Sequence, residues 1–205
     1  MIVRAGLAAT VAGVLLTGCG GPGAVLEPMS IPGGTETTPS TTPATTSPTA
    51  AAPVDYTPLL LAPGDVYVPG DGYSAPPPIR DPDGVHGAEE LMTNGDQTRA
   101  IGITIVVLPD APTASAELTR AQQTLSTVVP TQPSQPVPVG TGAIAVTGLS
   151  HDSSKAVTAL VFGEGHAIVR IDFYSAVGQP TPVDFAIGVG KMQALALRVG
   201  LTRHD

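Results

Sequence analysis

Hydrophobic and polar positions along the chain fall into three regimes. From Ala5 to Leu16 the chain is almost continuously apolar, and from Gly20 to about Pro53 large apolar side chains nearly vanish. Beyond Gly87 they return with the periods of strands and helices. Segments 88–93 and 97–108 flank Asn94-Gly95, a dipeptide that favours a two-residue type I′ hairpin. In the second of these, Arg99, Ile101, Ile103, Ile105 and Val107 share one face, and beyond Arg99 that face is wholly β-branched. Asp110 is placed to cap a helix with Pro112 in its first turn. Its apolar stripe is Ala114, Leu118, Ala121, Leu125 and Val128, and Pro130 ends it. Strands are predicted over 143–149, 156–162 and 167–174, the last two joined tightly by Gly163-Glu164-Gly165. Thr181-Pro182-Val183-Asp184 has the pattern of a capping box. It opens a final helix with an expected buried stripe of Phe185, Val189, Met192, Ala196 and Val199, closed by Gly200.

The segment 54–86 reads as irregular, with Pro69-Gly70-Asp71-Gly72 and Pro76-Pro77-Pro78 marking turns and extended chain. The order is therefore β-β-α-β-β-β-α. It implies an α+β domain over 54–205, with an antiparallel sheet of about five strands and two helices on one face.

The first regime has the shape of an export signal. Its apolar run of about a dozen residues is shorter than the ~20 that span a bilayer. It runs into Leu16-Thr17-Gly18-Cys19, which resembles the lipobox of bacterial lipoproteins: an aliphatic residue, two small ones, then cysteine. That resemblance implies cleavage between Gly18 and Cys19, a lipid on Cys19, and attachment to the outer face of the cytoplasmic membrane. The signal would occupy 1–18. The Gly, Pro, Thr, Ser and Ala run over 19–53 cannot offset its ordering entropy, and is expected to be a disordered tether.

Composition narrows the chemistry. The net charge of −8, one unit more negative without Arg4, argues against a nucleic-acid partner and against a basic patch on anionic lipid. Three Phe, four Tyr and no Trp leave the core to aliphatic residues and make a stacking platform for sugars or bases improbable. A single cysteine permits neither an internal disulfide nor a thiolate metal cluster. No two of His86, His151, His166 and His204 stand at metal-ligand spacing, so no metal or other cofactor is expected. Asp81-Pro82-Asp83-Gly84 begins like a calcium loop, but Val85 and Met92 occupy positions that need oxygen ligands, and a turn is the better reading. Ser150-His151-Asp152-Ser153-Ser154 contains every residue type of a catalytic triad within one loop, whereas triads are assembled across a fold. It reads as a polar hairpin turn. No catalytic constellation emerges, and the chain is not expected to be an enzyme.

One polar row stands out on a predicted sheet face: Arg170 and Asp172, with His166 and Tyr174. It is the candidate floor of a ligand groove. A solvated face carrying one exposed ion pair is the commoner arrangement for such a row. Ala100, Gly102 and Thr104 alternate with the isoleucines, leaving room above the second face for a lipid or other small hydrophobe unless 54–80 packs there.

Several stretches carry a wider likeness. Pro58-Leu59-Leu60-Leu61, Val139-Gly140-Thr141-Gly142, Ser153-Ser154-Lys155-Ala156-Val157-Thr158, Val189-Gly190-Lys191-Met192-Gln193 and Gly200-Leu201, with the lipobox, resemble an actinobacterial, chiefly mycobacterial, group of lipoproteins of uncharacterised function. More distantly, the layout is similar to the extracellular sensor domains of mycobacterial receptor kinases. The lipoprotein likeness implies a small α+β fold of the Mog1/PsbP kind. The anchor, the tether and the absence of a catalytic constellation point to a non-enzymatic binding or accessory module of the cell envelope; the apolar strands and aromatic-poor core leave a carrier of lipid or another small hydrophobic ligand as the alternative.

Overall fold

The computed structural model describes residues 54–202 apart from 69 and 131. The expected signal at 1–18, the tether at 19–53 with Gly18 and Cys19, and His204 lie outside the described residues. In chain order the elements are β1 (Tyr73–Ser74), β2 (Ile79–Arg80), β3 (Gly87–Asn94), β4 (Ala100–Val107) and α1 (Ala111–Val128), then β5 (Gln135–Pro136), β6 (Thr141–Leu149), β7 (Ala156–Glu164), β8 (Ala167–Ser175) and α2 (Val183–Leu201). All eight strands form one antiparallel sheet in the order β1-β3-β4-β8-β7-β6-β5, with β2 also pairing β3. The α+β class and the order of the long elements are as the pattern predicts. The sheet is wider than five strands because short extended pieces, too brief to show periodicity, pair along both edges.

The two helices do not share a face. Side chains of a strand alternate sides, and β7 is buried on both. Leu160 and Phe162 join Ile101, Ile103, Ile105, Val169, Ile171 and Phe173 beneath α2. Val157, Ala159 and Val161 instead pack with Val146 and Ile168 beneath Ala114, Leu118 and Leu125 of α1. The expectation of two helices on one face is corrected to one helix on each. The cue lies in β7 itself, where Ala156 to Gly163 are all buried, as in a strand covered on both sides.

Helix α1 follows its stripe. Asp110 caps it, its Oδ1 accepting from the Thr113 amide at 2.7 Å. Helix α2 is rotated from expectation. Ala186, Val189, Gly190, Gln193, Ala194, Leu197, Gly200 and Leu201 are buried, while Met192 and Val199 are exposed. The packing face carries glycines because the helix approaches closely: a Cβ on Gly190 would stand 2.6 Å from Leu160 Cδ2, and one on Gly200 2.1 Å from Leu59 Cδ2. Gly200 is thus a contact residue within the helix rather than its cap. No side chain caps the start of α2; the Thr181 carbonyl there accepts from the buried Thr158 hydroxyl at 2.7 Å.

The β3–β4 connection also departs from the two-residue turn. Asn94 is the last residue of β3 and is buried. Its Oδ1 accepts from the Arg99 amide (2.9 Å), and its Nδ2 donates to Asp71 Oδ2 (3.1 Å). A side chain committed to the core cannot sit at a turn apex, so the chain reverses two residues later, through 95–98 with Gln97 at φ +59°.

The irregular segment before β1 is part of the core. A short 3-10 turn at Thr57–Leu59 leads Leu59, Leu60 and Leu61 under α2, and Val66 follows. Gln193, wholly buried, fixes this segment: its Nε2 donates to the Leu59 carbonyl at 2.7 Å and its Oε1 accepts from the Leu61 amide at 3.1 Å. Replacing Gln193 by Leu strands two buried backbone groups and is expected to cost about 2–4 kcal/mol. Urea unfolding, with hydrogen exchange at Leu61, checks both the loss and its location.

Candidate functional site

The polar row of β8 lies on the α1 side of the sheet, and backbone register sets its surroundings. Thr104, Arg170 and Val161 form one row across β4, β8 and β7. Gly102, Asp172 and Ala159 form the next, and Ala100, Tyr174 and Val157 the third. Small residues therefore stand on both sides of Asp172. Helix α1 covers β7 and the near side of β8, while Ala100, Gly102, Thr104 and Val106 remain half-buried.

Leu91 partly fills the space over Gly102, its Cδ1 lying 3.8 Å from where a Cβ would be. The segment 54–80 does not cover this face; Leu59–Leu61, Val66 and Tyr73 pack on the opposite one.

At the centre is an ion pair within one strand. Arg170 Nε donates to Asp172 Oδ2 at 2.9 Å and to Oδ1 at 3.1 Å, with the side chains only 18% and 15% exposed. Burial raises the Asp172 carboxyl above its ordinary pKa, and the Arg170 charge opposes that shift without cancelling it. Tyr174 is pushed up to about 12, chiefly by burial and further by the Asp172 charge, so its phenol is protonated at neutral pH. His166 is not adjacent to this group. It sits in the Gly165–His166 turn between β7 and β8, and its carbonyl accepts from the Leu108 amide at 2.9 Å. Four strand residues, about 13 Å, separate it from Arg170. The structure thus brings Arg170, Asp172 and Tyr174 together and leaves His166 at the far end of the strand.

The other candidates resolve into local structure. Asp152 organises its hairpin turn, accepting from Ser150 Oγ (2.7 Å) and from the Ser154 amide (3.1 Å) and hydroxyl (2.8 Å). Those bonds hold its carboxyl down at about 2. Asp81 Oδ1 accepts from the Gly87 amide at 3.2 Å and lies 3.7 Å from His86 Nδ1, closing the turn that leads into β3. Among the described residues, no three His, Cys, Asp or Glu side chains converge as a metal site would require. A shallow cleft of about 340 Å³ opens at the β6 edge, lined by Gln132, Pro133, Gln135, Thr147, Thr181 and Val183 among others.

Two buried polar residues escape a reading of periodicity: Gln193 and Glu90. Glu89 and Glu90 are consecutive in β3 and must point to opposite faces. Glu90 takes the core face between Ala88 and Met92, 7% exposed.

No protein-family model matches the chain, and neither does any curated protein. Among solved structures, the extracellular domain of PknH from Mycobacterium tuberculosis is similar, at a TM-score of 0.50 and 11% identity, covering 71% of this chain and 93% of that one. At that identity the likeness is one of fold. It agrees with the more distant of the two likenesses noted in the sequence.

Burial raises the Glu90 carboxyl pKa. The folded state therefore holds its proton to higher pH than the unfolded chain does, and stability falls as pH rises from the ordinary carboxylate range through the folded value. Glu90→Gln is expected to raise Tm at pH 7, an advantage that vanishes below about pH 4; thermal melts at the two pH values test this. Arg170→Ala leaves Asp172 half-sequestered without its cation and is expected to cost about 1–3 kcal/mol, measurable by urea unfolding.

Proposed function

We propose that this chain is an extracytoplasmic lipoprotein, held at the outer face of the membrane by a lipid on Cys19, with its α+β domain acting as a non-enzymatic binding or accessory module of the cell envelope. The observation that carries the reading is Leu16-Thr17-Gly18-Cys19 directly after a short apolar run and before a Gly-, Pro- and Thr-rich stretch. Two findings support it. The domain has a fold similar to that of an extracellular domain, and no described helix is long and apolar enough to cross a membrane.

Within the domain we assign ligand contact to the half-open β8 face. Arg170 engages Asp172 through Nε alone, so its guanidinium edge is suited to a partner's acidic group. Leu91 and the row Ala100, Gly102 and Thr104 supply apolar and small surface beside it.

Expression of the full chain in an actinobacterial host tests the anchor. The wild type is expected in the membrane fraction, with Cys19 diacylglyceryl-modified by mass spectrometry. Cys19→Ala is expected to move the protein to the soluble fraction or the medium. A Cys19→Ala protein that stays membrane-bound overturns the reading.

A further inference from the structure

Asn94 is the chain's only asparagine, and it stands directly before Gly95. Nothing in the fold requires that glycine: its φ is not positive, and a Cβ there meets nothing within 4 Å. Asparagine followed by glycine is the pair most prone to lose ammonia, because glycine has no Cβ to shield its nitrogen from the carboxamide.

Asn94 itself is needed as a neutral donor where acids converge. It is 4% exposed. Nδ2 donates to Asp71 Oδ2 at 3.1 Å and to Thr98 Oγ1 at 3.3 Å, and Oδ1 accepts from the Arg99 amide at 2.9 Å. Asp96 lies close as well; its carboxyl is held below the ordinary range chiefly by Thr98, with the Asn94 side chain contributing. The cation facing this group is Arg99, whose charge reaches Tyr73 beside Asp71. Asn94 thus ties the chain ahead of β1 to the β3–β4 turn, and β1 is a two-residue edge strand paired with β3.

We propose that Asn94 is a self-modification site: the folded edge holds its deamidation off, and the product releases β1. The Gly95 nitrogen attacks Asn94 Cγ and the Cγ–Nδ2 bond breaks. Nδ2 leaves as ammonia, carrying the proton of the Gly95 nitrogen. Water then opens the imide ring. Opening at Cγ leaves an aspartate at position 94, and opening at the backbone carbonyl leaves an isoaspartyl link that runs the main chain through Cβ and Cγ. One water is consumed and one ammonia released, with no change of oxidation state. Closing the ring takes the carboxamide away from Asp71, Thr98 and the Arg99 amide, so the edge must open first. Opening a short edge strand costs far less than opening the sheet. Either product replaces the donor by a carboxylate beside Asp71 and Asp96, and β1 does not return to its place.

Peptide mass mapping of the full chain, aged at mildly alkaline pH, tests the reaction. The tryptic peptide 81–99 is expected to gain one mass unit roughly tenfold more slowly in native buffer than in concentrated urea. Gly95→Ala, which the open space beside Gly95 accommodates, is expected to suppress the gain in both. Asn94→Asp tests the consequence. At pH 7 it is expected to speed hydrogen exchange over 71–74 roughly tenfold relative to wild type. Facing carboxylates raise one another's pKa in the folded state, so that excess is present above the carboxylate range and vanishes below about pH 4. Adding Asp71→Asn returns a donor from the other side and is expected to restore most of the protection. Three results overturn the proposal: equal mass gain in buffer and urea, exchange over 71–74 unchanged by Asn94→Asp, or no recovery on adding Asp71→Asn.

Discussion

The constraint on which this fold depends is the burial of β7 on both faces. A strand whose residues 156–163 are all sequestered needs a cover above and a cover below. Helix α1 supplies one, and α2 with the Leu59–Leu61 segment supplies the other. Neighbouring β8 is buried continuously on the α2 side but carries Arg170 and Asp172 on the α1 side, where the helix cover runs out. The candidate binding face is thus a by-product of geometry: one helix cannot cover a whole sheet face, and the uncovered part is where polar groups are tolerated.

Much of the architecture was legible from periodicity. The isoleucines of β4, the stripe and Asp110 cap of α1, and the polar turn at Asp152 follow from local rules that tertiary packing did not override. The rotation of α2 did not. A helix with apolar residues on every side has several plausible stripes. The true one is marked by residues that hydrophobicity ignores: two glycines admitting close approach, and a glutamine satisfied by distant backbone. The placement of the helices was misread for a related reason. Alternation along β4 marks a half-covered strand, whereas the unbroken small and apolar run of 156–163 marks a strand covered on both faces.

The candidate site was legible as a row but not as a place. Sequence spacing put His166, Arg170, Asp172 and Tyr174 on one side of a strand. It could not say that a turn would take His166 or that α1 would stop short of Arg170. Glu90 was readable in principle, since Glu89 and Glu90 cannot both face water from one strand, but pattern alone does not say which turns inward.

The Gln193 latch has a mechanical consequence. Whatever precedes residue 54 is joined to the domain through a segment held by the Leu59 carbonyl, the Leu61 amide and three leucine side chains. Two further ties lie on the same route: the Val54 carbonyl accepts from Arg80 of β2 at 3.1 Å, and Tyr56 packs against the core. The glutamine that satisfies two buried backbone groups is therefore also part of the joint through which the domain is held to whatever precedes it.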